Sequence, residues 1–284
     1  MASFTNFATL SYNGGTTNSN TVTGELLETL TAAKTAVTPA YTAGENVTYA
    51  VSLVNTGTAP LTGVTVTDDL GRYAVGANTV YPLAYVDGSV KYYVNGVLQA
   101  APTVTAGPPL TVTGLSIPAG GNAVLLYETR VTNVAPLASG DSITNTATVT
   151  GGGLTAPITA QATVETANAA DLGITKSLSP TTVTENGQIT YTFVISNSGN
   201  TEAAAADNVV VTDTFNPILR DIAVTYNGTA WTEGTNYTYN AATGAFATTA
   251  GQITVPAASL TRDTATGAVV VTPGISTLTV TGTV

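Results

Sequence analysis

Residues 34–70 read KTAVTPAYTAGENVTYAVSLVNTGTAPLTGVTVTDDL, and residues 176–215 read KSLSPTTVTENGQITYTFVISNSGNTEAAAADNVVVTDTF. Laid over one another, the two stretches match from end to end. Lys34 falls on Lys176, Tyr49 on Tyr191, Asn55 on Asn197, Gly57 on Gly199 and Asp68 on Asp213. One structural unit is therefore written twice in this chain. Within each copy apolar and polar residues alternate, as in Asn46–Asn55 (NVTYAVSLVN) and Val64–Asp68 (VTVTD). That is the period of a strand with one face buried.

Outward from the repeat the same period recurs in Ser89–Val94 and Ala123–Val131, the latter matching Thr277–Val284. Asn-Gly pairs at Asn95–Gly96 and Asn227–Gly228 predict tight hairpins. No segment reads as a helix of useful length. Many short strands at this spacing predict an antiparallel β-sandwich in each copy. Past its shared part the first copy continues through Ser142–Val149 (SITNTATV), a Gly-Gly-Gly turn and Ile158–Glu165 (ITAQATVE). The second copy has no such hairpin. Its layout occurs at the other end of the chain, in Ser3–Ser11 (SFTNFATLS), an Asn-Gly-Gly turn and Ser19–Leu26 (SNTVTGEL). Asn6 falls on Asn145 and Ala8 on Ala147. The expected organisation is all-β: an N-terminal donor hairpin over 1–28, a first immunoglobulin-like sandwich over 30–165, a linker at Thr166–Ala170, and a second sandwich over 171–284 lacking its final hairpin.

Composition narrows the chemistry. Of 284 residues 43% are apolar, enough for two cores, while only 8% are charged, about a third of the usual share. A net charge of −10 leaves no basic surface for nucleic acid or anionic lipid. The absence of Cys and His removes thiol nucleophiles, disulfides and histidine acid–base catalysis. No apolar run is long enough for a membrane span, and the start MASFTNFATLSYNGG has no visible signal peptide.

The pattern Lys…Gly-x-x-Val-Thr-Tyr…Asn-Thr-Gly…Val-Thr-Asp…Asn-x-Ala-x-Val, met twice, resembles the conserved repeat domain of bacterial and archaeal surface proteins known as family of unknown function number eleven. The chain departs from it at Asn186, where the usual Gly is displaced, and in the shortened second copy. The resemblance implies immunoglobulin-like modules of adhesins, envelope proteins and spore appendages, and this short two-repeat chain is most similar to the structural proteins of spore appendages. It implies a surface or extracellular location.

In sandwiches of that kind a Lys on the first strand, an Asp near the end of a middle strand and an Asn on the penultimate strand can form a Lys–Asn isopeptide bond. The amine must be neutral to attack, and the carboxyl must be protonated to polarise the amide; burial favours both. The first copy offers Lys34, Asn145 and the assisting Asp68. The second offers Lys176 and Asp213, and Asn6 of the displaced hairpin would supply its amide. The chain has three lysines, and two occupy this one repeat position. Competing readings are exposed strand residues, or a calcium-binding pair in Asp68 and Asp69. Trp231 and the 13 tyrosines read as packing rather than a sugar platform, and the acceptor patterns at Asn227 and Asn236 as incidental glycosylation matches.

These features predict a fibre subunit whose only partner is itself, joined head to tail by donor-strand addition. About seven residues separate Leu26 from Lys34, reaching at most ~25 Å, and a tandem array places a final hairpin just before the next first strand. The donor should therefore come from another copy. No cofactor, metal or enzymatic turnover is expected beyond the autocatalytic bond. The alternative is an adhesin fragment whose loops bind carbohydrate or protein.

Overall fold

The structure, a computed structural model, describes residues 2–26 and 29–284; of the segment 1–28, residues 1, 27 and 28 lie outside it. Two compact units are formed, one from residues 1–135 with 142–165, the other from 136–141 with 166–284. Among the described residues, no helix is long and apolar enough to cross a membrane.

The first unit comprises β1 (Ala2–Asn6), β2 (Thr9–Tyr12), β3 (Gly15–Asn18), β4 (Val22–Leu26), β5 (Leu30–Ala36), β6 (Ala40–Tyr41), β7 (Asn46–Asn55), β8 (Leu61–Asp68), β9 (Tyr73–Val75), β10 (Asn78–Val80), β11 (Leu83–Tyr85), β12 (Lys91–Val94), β13 (Val97–Leu98), β14 (Thr103–Thr105), β15 (Leu110–Ile117), β16 (Asn122–Val131), β17 (Ser142–Gly151) and β18 (Ile158–Thr166). One sheet runs β13-β12-β16-β7-β5, with β11 also on β16, and the other runs β14-β15-β8-β17-β18-β6. The alternation seen in the sequence decides which side chains meet between them. On β7, Val47, Tyr49, Val51 and Leu53 are buried while Thr48, Ala50 and Ser52 are half-buried on the other face. β17 turns Ile143, Asn145, Ala147 and Val149 inward by the same rule.

The second unit comprises β19 (Leu172–Ser179), β20 (Gln188–Asn197), a single 3₁₀ turn at Ala205–Asp207, β21 (Thr212–Thr214), β22 (Arg220–Tyr226), β23 (Thr229–Trp231), β24 (Tyr237–Asn240), β25 (Ala245–Thr248), β26 (Ser259–Arg262), β27 (Val269–Thr272) and β28 (Gly274–Thr283). Its larger sheet runs β19-β20-β28-β22-β23 and its smaller one β21-β25-β24. The all-β expectation holds, and both Asn-Gly turns take the left-handed backbone of a tight hairpin, with φ of 47° and 79° at Asn95–Gly96 and 48° and 78° at Asn227–Gly228. Asn186, the departure from the repeat pattern, adopts φ 64° where Gly44 has 75°. Asn tolerates this region better than other side chains, so the backbone shape survives the exchange. The repeat residues Asn55 and Asn197 are buried staples: each accepts a backbone N–H at Oδ1, from Gly57 and Gly199, and each Nδ2 donates to loop carbonyls, of Ala59 and Thr201.

One boundary differs from expectation. β18 continues through Thr166, whose side chain is buried and whose N–H donates to the Asp141 carbonyl. The irregular connection is therefore 167–171.

The two smaller sheets differ where the repeat differs. β8 has β15 on one side and β17 on the other, whereas β21 pairs with β25 and with no second strand among the described residues. With no counterpart of β17 and β18 opposite it, β19 is exposed along its whole length, Ile174 at 55%. The core that does close in this unit centres on Phe215, which is 1% exposed and packs on Tyr191, Tyr239 and Phe246. In the monomeric chain, Phe215→Ala should therefore destabilise the second unit by about 3–5 kcal/mol, while Ile174→Ala should change it by less than about 0.5 kcal/mol. Urea unfolding followed by fluorescence of Trp231, the sole tryptophan, reads this unit selectively; equal losses for the two variants would show that β19 is covered.

Candidate functional site

Lys34 lies on β5 at the edge of one sheet, with Asp68 and Asn145 on adjacent strands of the other. Asp68 ends β8 and pairs with Ala147, so Asn145, two residues along β17, shares its inward face. Alternation along β5 aims Lys34 into the same space. The three side chains predicted from the first repeat therefore meet in the core. The ammonium of Lys34 lies 2.5 Å from Asp68 Oδ2, with side-chain exposures of 0% and 2%. It sits 4.7 Å from the ring centre of Tyr49 and 6.0 Å from that of Tyr127.

Two tyrosines complete the site. The Tyr127 hydroxyl donates to the same Asp68 Oδ2, and Asp68 Oδ1 accepts the N–H of Leu70. Desolvation lowers the pKa of Lys34, with the Asp68 charge pulling it partly back. Burial first, and the Asp68 charge second, raise the pKa of both Tyr49 and Tyr127. The Asn145 amide is close enough to Tyr49 to offset that rise slightly, without reaching hydrogen-bond geometry.

Three buried side-chain polar atoms have no hydrogen-bond partner among the described residues: Tyr49 Oη and both the oxygen and the nitrogen of Asn145. All three belong to this cluster. An unpaired buried polar group costs about 1–3 kcal/mol, so a purely structural Asn would be a poor occupant of this position. Lys34 and the unsatisfied Asn145 amide are both buried on the facing sides of the two sheets, each next to Tyr49. Sequence reasoning missed both tyrosines, because tyrosine in a strand reads as packing. The signal that could have found Tyr49 is its repetition as Tyr191.

Asp69, the second half of the calcium alternative, is otherwise engaged. Its Oδ1 accepts the N–H groups of Gly71 and Thr146, clamping β17 to the end of β8. No group of three or more acidic residues that could hold a metal occurs among the described residues.

The second unit holds a partial copy. Lys176 and Asp213 form an ion pair and a hydrogen bond, and Lys176 Nζ lies 4.4 Å from the ring centre of Tyr191 and 5.4 Å from that of Phe215. Val280 stands opposite Tyr191 where Tyr127 stands opposite Tyr49, so the second carboxylate lacks the tyrosine clamp. The Lys176 side chain is 40% exposed, against 0% for Lys34. Because Lys176 reaches across to Asp213, Leu172, Ile174 and Leu178 on the same face of β19 also point inward, yet they are exposed.

The sixth predicted residue, Asn6, lies on β1 and is exposed. β1 pairs with β4 and β2 with β3, with Asn6 opposite Val22 as Asn145 is opposite Ala162. Phe4, Phe7, Leu10, Tyr12 and Val22 are each more than half exposed. Gly24 lets the Phe4 ring lie flat on the neighbouring strand, since a Cβ there would come within 2.4 Å of it. This hairpin presents apolar side chains to solvent on strands that make no other sheet among the described residues.

No protein-family model and no curated protein matches the sequence, so the resemblance to the surface repeat stands on its quoted motifs. Among solved structures the chain is similar to BcpA, the major pilin subunit of Bacillus cereus, at 14% identity over 96% of this chain and 73% of that one, with a TM-score of 0.36. It is similar to the pilus backbone RrgB of Streptococcus pneumoniae at 12% identity over 87% of this chain and 55% of that one, TM-score 0.36. It is also similar to a family 123 glycoside hydrolase from Clostridium perfringens at 13% identity over 50% of this chain and only 28% of that one, TM-score 0.30. Likeness this slight extends to a structural protein and an enzyme alike and does not choose between them.

Proposed function

We propose that the chain is a structural subunit of an extracellular or spore-surface fibre, stabilised within its first unit by a Lys34–Asn145 isopeptide bond and joined to the next copy by donor-strand addition and a Lys176–Asn6 bond. The observation that carries the reading is the paired asymmetry of the two sites. One holds a buried Lys, Asp and unpartnered Asn; the other holds only Lys and Asp beside an open strand edge.

Atoms and charge balance at each step of the reaction. Lys34 passes one proton to Asp68. The neutral Nζ attacks Cγ of Asn145 while the protonated Asp68 polarises the amide. Nζ then gives up its second proton to Nδ2, the Cγ–Nδ2 bond breaks, and ammonia leaves. Asp68 returns the first proton, so the net product is an amide and ammonium. The bond closes a loop of about 110 residues, worth about 4–5 kcal/mol on the disulfide analogy.

The register of the first unit supplies the geometry for the second. Asp68 pairs with Ala147; the matching pair is Asp213 with Ala8. A hairpin added at the open edge of β21 in that register turns Phe4, Asn6, Ala8 and Leu10 inward, where Ile143, Asn145, Ala147 and Val149 lie in the first unit. Strand addition of this kind gains backbone hydrogen bonds and covers the exposed face of β19. A donor on one surface and an acceptor on another make a contact that does not close on itself, and such contacts propagate as filaments.

Purified chain should show filaments by negative stain and an SDS-resistant ladder after boiling. Deleting residues 1–26 should abolish the filaments, and Lys176→Ala should leave filaments that dissociate in SDS. Filaments from the deletion would sink donor-strand assembly; a persisting ladder from Lys176→Ala would sink only the covalent link.

A second prediction concerns pH. In Asn145→Ala, Lys34 remains a free amine whose pKa lies below its usual 10.5. Between that lowered pKa and 10.5 the unfolded chain binds more protons, so stability rises with pH. Tyr49 and Tyr127 lie above the usual 10.0, so above that value the folded chain holds more protons and stability falls. The melting temperature of Asn145→Ala, relative to the unaltered linked chain, should climb as the pH passes the lowered Lys34 pKa and level off near 10.5, because the two tyrosines are common to both chains and cancel from the difference. A flat difference across that range would contradict the free buried amine.

A further inference from the structure

We propose that the Tyr49 hydroxyl is a catalytic donor in the bond-forming reaction, holding the charge that develops on Asn145 Oδ1, and that Tyr191 occupies the same role toward Asn6. This rests on the cross-linking reading and assigns a residue that the lysine–aspartate–asparagine scheme leaves out.

As Nζ adds to Cγ, the amide oxygen becomes an oxyanion, and a preorganised donor in a dry site is worth most at that moment. The protonated Asp68 supplies one donor, and the remaining candidates but one are committed. The Tyr127 hydroxyl is spent on Asp68 Oδ2, the Leu70 N–H on Asp68 Oδ1, and Lys34 is the nucleophile. Tyr49 Oη is fully buried and has no acceptor, and the Asn145 amide near it has an oxygen with no donor. Rotation about its C–O bond can direct the proton at the oxygen without moving the ring. Burial keeps that hydroxyl protonated well above neutral pH, so it remains a donor.

The repeat points to the same residue. Of the two tyrosines at the first site, Tyr127 is exchanged for Val280 in the second unit, whereas Tyr49 is kept as Tyr191. The lysine sits over the retained ring in both, at 4.7 Å and 4.4 Å from its centre. The lysine–tyrosine pairing is thus common to both sites, whereas the tyrosine clamp on the carboxylate belongs to the first alone.

The test is the time course of ammonia loss in freshly made full-length chain, synthesised cell-free and sampled for intact mass. The unaltered chain should lose one ammonia at the first site, and Asp68→Ala should lose none there. Tyr49→Phe should lose it about 10²–10³-fold more slowly, the cost of one oxyanion donor, with an unchanged circular dichroism spectrum. Loss at the unaltered rate in Tyr49→Phe would overturn the inference and leave the cross-link standing; no loss in the unaltered chain would remove both. Should Tyr49→Phe fail to fold, 3-fluorotyrosine at position 49 keeps the shape and donates more strongly. A faster reaction then supports the role, and an unchanged rate overturns it.

Discussion

A lysine ammonium with no exposed surface is the constraint around which the first unit is organised. Taking that charge out of water is tolerable only with a counter-charge and oriented polar neighbours. Asp68 provides the charge at 2.5 Å, Tyr127 and the Leu70 N–H hold its oxygens, and the faces of Tyr49 and Tyr127 flank the ammonium. Satisfying it requires residues from both sheets, so the sandwich must close over it. The clamp of Asp69 on Gly71 and Thr146 brings β17 to the end of β8 and with it Asn145, whose amide, like the Tyr49 hydroxyl, has no hydrogen-bond partner among the described residues. In the proposed cross-link, forming the amide bond removes the lysine charge and consumes the unpartnered amide, while the Asp68 carboxylate stays held by Tyr127 and the Leu70 N–H.

The second unit has the same Lys–Asp pair, over an equivalent tyrosine, but not the closing strands. Its lysine stays partly in water and the inward face of β19 stays bare. Under the proposed assembly, seating a hairpin there would cover Lys176 and bring Asn6 to it in one event.

Much of this was legible in the sequence. Alternation gave the sheets, the internal repeat gave the two copies, and repetition at one position singled out Lys34 and Lys176 from a chain with three lysines. Asp68 and Asn145 emerged from the repeat and its resemblance to surface modules. Tyr49 and Tyr127 did not, because a strand tyrosine reports burial and not what its hydroxyl meets. Asp69 looked like a second cation ligand because an adjacent acidic pair has no direction in a sequence; in the fold its neighbour points inward while it caps a backbone turn. Thr166 looked like linker because a strand's last residue carries no signal of the carbonyl that its N–H will reach.

The central claim, that one copy supplies the amide for the lysine of another, is tested most directly by two half-competent chains. Asn6→Ala can only accept, and a heavy-isotope Lys176→Ala chain can only donate. Mixed in solution, they should give a covalent dimer that survives boiling in SDS, and its digest should contain a branched peptide with Lys176 from the light chain and Asn6 from the heavy one. Absence of that dimer, with both chains folded and mixed at high concentration, would contradict the account.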